Sequence, residues 1–130
     1  MDIRNVNIMS LAYLGDAVYE VYIREYLINK GIAKVDKLQK VAIKYVSAKS
    51  QCRIMNYLRN KKILSEEEEE VFKRGRNYKR ESHPKNTDII TYKVSSGFEA
   101  VIGYLYLEKK LERLGEIMKI ILEESNEEII

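Results

Sequence analysis

Apolar residues recur along this chain at three- and four-residue spacing, and no stretch alternates apolar and polar residues over the length a strand needs. The spacing predicts a helix over residues 10–29, where Leu11, Leu14, Val18, Val21, Tyr22 and Leu27 share a face. Ser10 offers its N-cap and Gly31 stands just past its end. A second helix is predicted over 36–60 from Leu38, Val41, Ala42, Tyr45, Ala48, Cys52, Met55 and Leu58, with Asp36 as its cap. Ser65 followed by Glu68 is a capping-box pattern, and the glutamates after Ser65 fill a first turn where the helix dipole favours negative charge. The segment "RGRNYKRESHPKNTD", residues 74–88, holds a glycine, the only proline and several polar turn formers, which predicts an exposed loop. Residues 92–110 and 111–125 then read as two more helices. With no strand pattern and no internal repeat, the expectation is an all-α chain forming a single domain over residues 1–130.

Composition agrees with one core: the chain has 130 residues, of which 45% are hydrophobic. No run approaches the roughly 20 apolar residues that span a bilayer, and "MDIRNVNIMS" lacks the charged start and apolar run of a signal peptide. A cytoplasmic protein without a membrane partner is expected. A single cysteine, Cys52, excludes an intramolecular disulfide, and with His83 as the sole histidine a Cys/His zinc site cannot be assembled. Cys52 is expected to be a small packed residue.

The net charge of +3 conceals strong segregation. Lys40, Lys44, Lys49, Arg53, Arg59, Lys61 and Lys62 follow one another with no acid between them, and six more basic residues from Lys73 to Lys85 face only Glu81. The stretch "SEEEEE" and the tail from Glu112 are acidic, as solvated helix faces often are. One face is thus prepared for a polyanion.

Two acids stand where helices should be apolar. Asp16 follows Gly15 in "LAYLGDAV", and Glu99 lies in "SSGFEAVIGYLYL" beside the core stripe of Phe98, Val101, Ile102 and Leu105. A buried carboxylate is expensive without a partner, so each needs a cation or water. Ala12, Gly15, Ala17, Ser95, Ser96, Gly97, Ala100 and Gly103 would let the two helices approach closely, bringing Asp16 and Glu99 within reach of one metal ion. Hard oxygen ligands without a histidine favour Mg2+, with Mn2+ as a substitute, over zinc. The competing reading of the pattern alone puts the glutamate at the rim of the core, paired with a lysine or arginine.

"LAYLGDAVYEVYIREYL" resembles the signature helix of the ribonuclease III catalytic domain, and "GFEAVIGYLYLEKK" its second acidic helix. The blocks "VSAKSQ", "EEEE" with "KRGRN", "PKNTD" and "FEAVIGYLYLEKK" resemble, in the same order, the short bacterial branch of that family, Mini-ribonuclease III. The resemblance implies a ribonuclease III-like helical fold and a homodimeric, Mg2+-dependent endoribonuclease that cuts double-stranded RNA, each subunit cutting one strand. It makes Asp16 and Glu99 the catalytic, metal-binding residues. Ala12 and Ser96 stand where the full-length enzymes carry two further acids, a departure shared with the short branch. With the chain ending at Ile130, no separate double-stranded-RNA-binding domain is expected. The implied substrate is the precursor stem of 23S ribosomal RNA, with a ribosomal protein as a candidate helper.

An A-form duplex is recognised chiefly through phosphates and 2′-hydroxyls, which calls for basic and amide groups. Lys49 and Arg53 fall on one face of the 36–60 helix with Asn56 and Asn60, and are candidate phosphate contacts, the alternative being ordinary helix solvation. Arg74, Arg76, Asn77, Lys79, Arg80, Lys85 and Asn86 would carry the loop into a groove. Glu20, one turn after Asp16, is expected to pair with a basic side chain ahead of the alternative of orienting a metal-bound water, and His83 to meet solvent or RNA ahead of acting as a general base. Ten tyrosines, several in apolar runs, suit a two-fold dimer interface. The alternatives are a non-catalytic double-stranded-RNA-binding dimer, against which Asp16 and Glu99 argue, and a helical protein-interaction module, which leaves those acids unexplained.

Overall fold

Every residue from Val94 to Leu105 is buried except Glu99, so the helix that carries them, α5 (Ile89–Leu107), forms the axis around which the other helices pack. They are α1 (Ile8–Asn29), α2 (Val35–Val46), α3 (Ala48–Asn60), α4 (Glu66–Asn77) and α6 (Leu111–Lys119), with a 3-10 turn at Ile3–Asn5 and a π-helical turn at Ile120–Glu124. The structure, a computed structural model, describes residues 2–79 and 85–124; Arg80 and His83 lie outside the described residues. The all-α expectation holds, with no strand among the described residues. No helix described is long and apolar enough to cross a membrane.

α5 packs against α1, α4, α3 and α6. Against α1 it runs antiparallel with the backbones in contact: a Cβ on Gly15 would fall 1.7 Å from the Glu99 carbonyl oxygen, and one on Gly103 1.9 Å from that of Leu11. The small residues serve a second contact as well. A Cβ on Gly97 would meet the Phe72 ring at 2.6 Å, and one on Gly75 the Gly97 Cα at 2.9 Å, so α4 also lies close on α5.

Several predicted boundaries move, each for a local reason. The helix expected over 36–60 is two, broken at Ser47. This residue is extended (φ −63°, ψ 153°), ends α2, and caps α3 by accepting the Ser50 N–H at 3.2 Å. α1 begins before Ser10 because Asn7 Oδ1 accepts the Met9 N–H at 2.8 Å. Asp36 lies in the first turn of α2, where the dipole favours it, rather than at the cap. The expected loop over 74–88 starts later: Arg74, Arg76 and Asn77 form the last turn of α4, where basic charge is favoured. α5 starts at Ile89, earlier than expected, because Asp88 accepts the Thr91 N–H at 2.9 Å and its hydroxyl at 2.8 Å. The capping box at Ser65 and Glu68 forms as predicted.

Ion pairs tie the outer helices down. Arg113 of α6 donates to both Glu68 oxygens, at 2.8 and 2.9 Å, and to the Ile63 carbonyl at 2.7 Å. Burial alone would raise the Glu68 carboxyl, but the Arg113 hydrogen bonds and the Ser65 backbone N–H hold it below the usual carboxylate range. Arg59 of α3 bonds Glu69 at 3.0 Å with its guanidinium over the Phe72 ring, and the buried Tyr19 hydroxyl donates to the Tyr45 carbonyl at 2.9 Å. Cys52 is half-buried, as expected of a packed residue.

The backbone contact at Gly15 yields a paired test. Gly15→Ala should lower unfolding free energy in urea by about 3 kcal/mol or more, since the neighbouring atoms are backbone and cannot yield. Gly115→Ala, in α6 with open space around it, should raise it by roughly 0.5–1 kcal/mol through helix propensity. Equal effects at the two sites would contradict the backbone contact.

Candidate active site

The crossing of α1 and α5 determines the site. Gly15 lies on the Glu99 carbonyl, so the next residue, Asp16, projects beside the same turn of α5 that carries the Glu99 side chain. Asp16 is exposed and Glu99 half-buried, so the pair opens to solvent on the Asp16 side; the expectation that both acids are buried applies to Glu99 alone. α3 supplies a third group. Gln51, 1% exposed, donates from Nε2 to Glu99 Oε2 at 3.3 Å and to the Val46 carbonyl at 3.2 Å. Its Oε1 is buried with no hydrogen-bond partner among the described residues.

Burial pushes the Glu99 carboxyl up to about 8, helped by its hydrogen-bond contact with the Asp16 carboxyl, repulsion from Asp16 and a smaller repulsion from Glu20; the Gln51 hydrogen bond pulls the other way. Glu20 itself bonds Arg24 at 2.8 Å, one turn on, as expected. Among the described residues no three His, Cys, Asp or Glu side chains converge as a metal cluster. Two carboxylates still fit Mg2+, which keeps several waters and commonly takes one or two protein carboxylates with substrate phosphate oxygens. The mutual repulsion is what a divalent cation would relieve.

The basic residues do not form one group. Lys49 and Arg53 are exposed on α3 in a row with exposed Asn56 and Asn60. The Cys52 thiol on the same helix has a hydrogen-bond contact with Thr91 and feels the charge of Asp88, so the start of α5, with exposed Lys85 and Asn86 just before it, lies beside α3. Asn77 and Lys79 are exposed. Arg76 is half-buried, its guanidinium carbon 5.3 Å from the Phe72 ring centroid and its Nε bonded to Asn77. Arg74 lies elsewhere: it reaches the Val6 carbonyl at 3.4 Å and lines a cleft with Arg4, Glu67, Glu70, Tyr104 and Lys110, without any residue of α3.

Residues 9–110 match the ribonuclease III domain, and the chain belongs to the ribonuclease III family: it is an endoribonuclease of that type. Within the family it groups with the Mini-ribonuclease 3 proteins. It is 48% identical to that of Streptococcus pneumoniae over 118 residues, 91% of this chain and 92% of the relative. Identity to that of Staphylococcus aureus is 46% over 125 residues, 96% and 93% of the two chains. A crystal structure of a Fusobacterium nucleatum protein superposes with a TM-score of 0.81 at 36% identity, covering 93% of this chain and 95% of that one.

Gln51 escaped the reading of the sequence, although a signal was present. It stands on the buried stripe of Ile54, Met55 and Leu58, as Glu99 stands among apolar neighbours, and a polar residue in such a row needs a partner.

The raised Glu99 carboxyl fixes a pH dependence of the metal-free fold. The folded state keeps a proton that the unfolded chain releases, so this group's contribution to stability falls as pH rises from about 4.5 towards 8. Asp16→Asn removes part of the repulsion. Between about pH 5 and about pH 9 in chelator, its urea midpoint should therefore drop less than that of the wild type; equal drops would show that the carboxyl groups do not interact.

Proposed function

We propose that the protein cleaves double-stranded RNA by Mg2+-dependent phosphodiester hydrolysis at the Asp16–Glu99 pair. The observation that carries this reading is the pairing itself: in an endoribonuclease of this family, two carboxylates meet at a helix crossing, one exposed and one held by Gln51. Bound between them, Mg2+ or Mn2+ would supply charge neutralisation at the phosphate and activation of water. Asp16 and Glu99 hold that cation, Asp16 from the open side and Glu99 from the helix crossing. Lys49, Arg53, Asn77, Lys79, Lys85 and Asn86 bind phosphates and 2′-hydroxyls along the duplex. Arg76 contributes from its place on Phe72, and Arg80, outside the described residues, is proposed with this set from the sequence alone. Arg74, in its separate cleft, reaches RNA only at a distance from this set.

A two-fold dimer completes the reading, since one subunit carries one site and a duplex has two strands. Its support is exposed apolar surface: Tyr13 is 84% exposed, and Val21, Tyr106 and Leu111 stand in solvent around a cavity of about 520 Å3 that Leu14, Ala17 and Tyr22 also line. Residues 1–130 act as one catalytic domain, recognising RNA through the dimer's own surface. The proposed substrate is the 23S ribosomal RNA precursor stem, in the cytoplasm, with a ribosomal protein as presenting partner.

The test is cleavage of a labelled RNA duplex. Wild type with Mg2+ should cut both strands. Asp16→Asn and Glu99→Gln should fold, bind the duplex and lose about 100-fold or more in cleavage rate; full cleavage by Asp16→Asn would overturn the assignment. Binding has its own test. Arg53→Glu with Lys79→Glu should weaken affinity and flatten the slope of log affinity against log salt by about 1 per lost contact, whereas Arg74→Glu should alter it less. An unchanged slope in the double variant would remove α3 and the loop from the interface.

A further inference from the structure

We propose that Gln51 is the positioning residue of the carboxylate pair, its side-chain amide clamping Glu99 toward Asp16 from the corner between α2 and α3. The inference rests on the reading of Asp16 and Glu99 as the metal-holding pair and names a residue beyond it.

The clamp follows from where the chain breaks. Ser47 ends α2, which leaves the carbonyl of its last residue, Val46, among the helix-end acceptors that α2 itself cannot pair. Ser47 then starts α3, and one turn later Gln51 points back under the corner with its side chain buried. A carboxamide has two N–H donors on one nitrogen. One goes to Val46 O and the other to Glu99 Oε2, so a single planar group joins the α2–α3 corner to α5. The orientation is not arbitrary: turning the amide over would set Oε1 against two oxygen acceptors and lose both bonds.

The neutral and acidic residues nearest in size do not reproduce this. Glutamate would add a third carboxylate, asparagine is one methylene short, and leucine fills the space with no donor. Glu99 has no ion-pair partner among the described residues, so the Gln51 bond is what opposes the repulsion from Asp16 and Glu20. Without it the carboxylate would swing from Asp16, and the two oxygen donors would no longer converge. A group that orients a metal-holding carboxylate contributes about 10- to 100-fold in metal affinity or activity.

The chain contains only two glutamines, Gln39 and Gln51, which makes the clamp directly observable. Selective 15N-glutamine labelling gives two side-chain NH2 pairs, and Gln39 is exposed. Adding Mg2+ alone to the wild-type protein should shift the Gln51 pair and leave that of Gln39 in place, and the shift should vanish in Glu99→Gln. If, in a uniformly 15N-labelled sample, the backbone signals of Asp16 and Glu99 move with Mg2+ and the Gln51 pair does not, the clamp is wrong while the metal-holding pair stands. If none of them moves, with or without bound RNA duplex, the reading of the pair itself fails.

Substitution supplies the second readout. Gln51→Leu should weaken Mn2+ binding, followed by electron paramagnetic resonance, by about 10-fold or more and lower kcat without raising KM for the duplex. Ser47→Ala loosens the same corner but leaves the Glu99 bond intact, and its Mn2+ affinity should stay within about twofold of wild type. Equal losses in the two variants would make Gln51 a structural residue of the corner only. Should Gln51→Leu fail to fold, the NMR titration of the wild type decides.

Discussion

Two peptide backbones in contact, α1 and α5 at Gly15 and Gly103, determine where everything else in this protein sits. Helices with side chains between them keep their axes about 8–10 Å apart. Here the missing Cβ atoms remove that spacer on both sides at once, with each glycine lying on the other helix's backbone. The consequence is chemical as well as geometric. Asp16, one position past Gly15, is forced to share a patch of surface with Glu99, whose carbonyl Gly15 meets, and both residues are acids.

The site is thus assembled against the electrostatic preference of the fold. Elsewhere among the described residues the half-buried and buried carboxylates have cations: Glu68 is gripped by Arg113 and Glu69 by Arg59. Glu99 instead meets a second carboxylate and a neutral amide. A fold that answers its other buried charges and leaves one cluster unanswered marks that cluster as a place for something the chain does not itself supply. The clustering of small residues is consistent with this, since they bring helices close enough for the repulsion to matter.

The positions of the helices were largely legible in the sequence because apolar periodicity reports which face is buried. Their ends were less legible, because caps compete locally. Asn7 and Ser10, or Lys34 and Asp36, are alternatives that the chain itself does not rank. The break at Ser47 was hidden for a related reason: the apolar stripe continues from Tyr45 to Ala48 and Cys52 across the corner, so periodicity alone reads one helix. The last turn of α4 was read as loop because a glycine and a run of basic residues look like turn chemistry. In the fold that glycine, Gly75, gives close contact with α5, and the basic charges suit a helix C-terminus.

The sequence by itself determined the fold class, the membership of a nuclease family, the two acids that interrupt apolar stripes and most helix faces, although Val21, expected on the buried face of α1, is 64% exposed while Tyr19 and Ile23 are fully buried. Each of these is a property of residue type and spacing along one element. Only the tertiary structure decided that Asp16 is open while Glu99 is half-buried, that Arg74 lies apart from the other basic residues, and that Gln51 reaches the site at all. Those are relations between elements separated by dozens of residues. They depend on the crossing of α1 and α5 and the corner at Ser47, which set distances that no periodicity encodes.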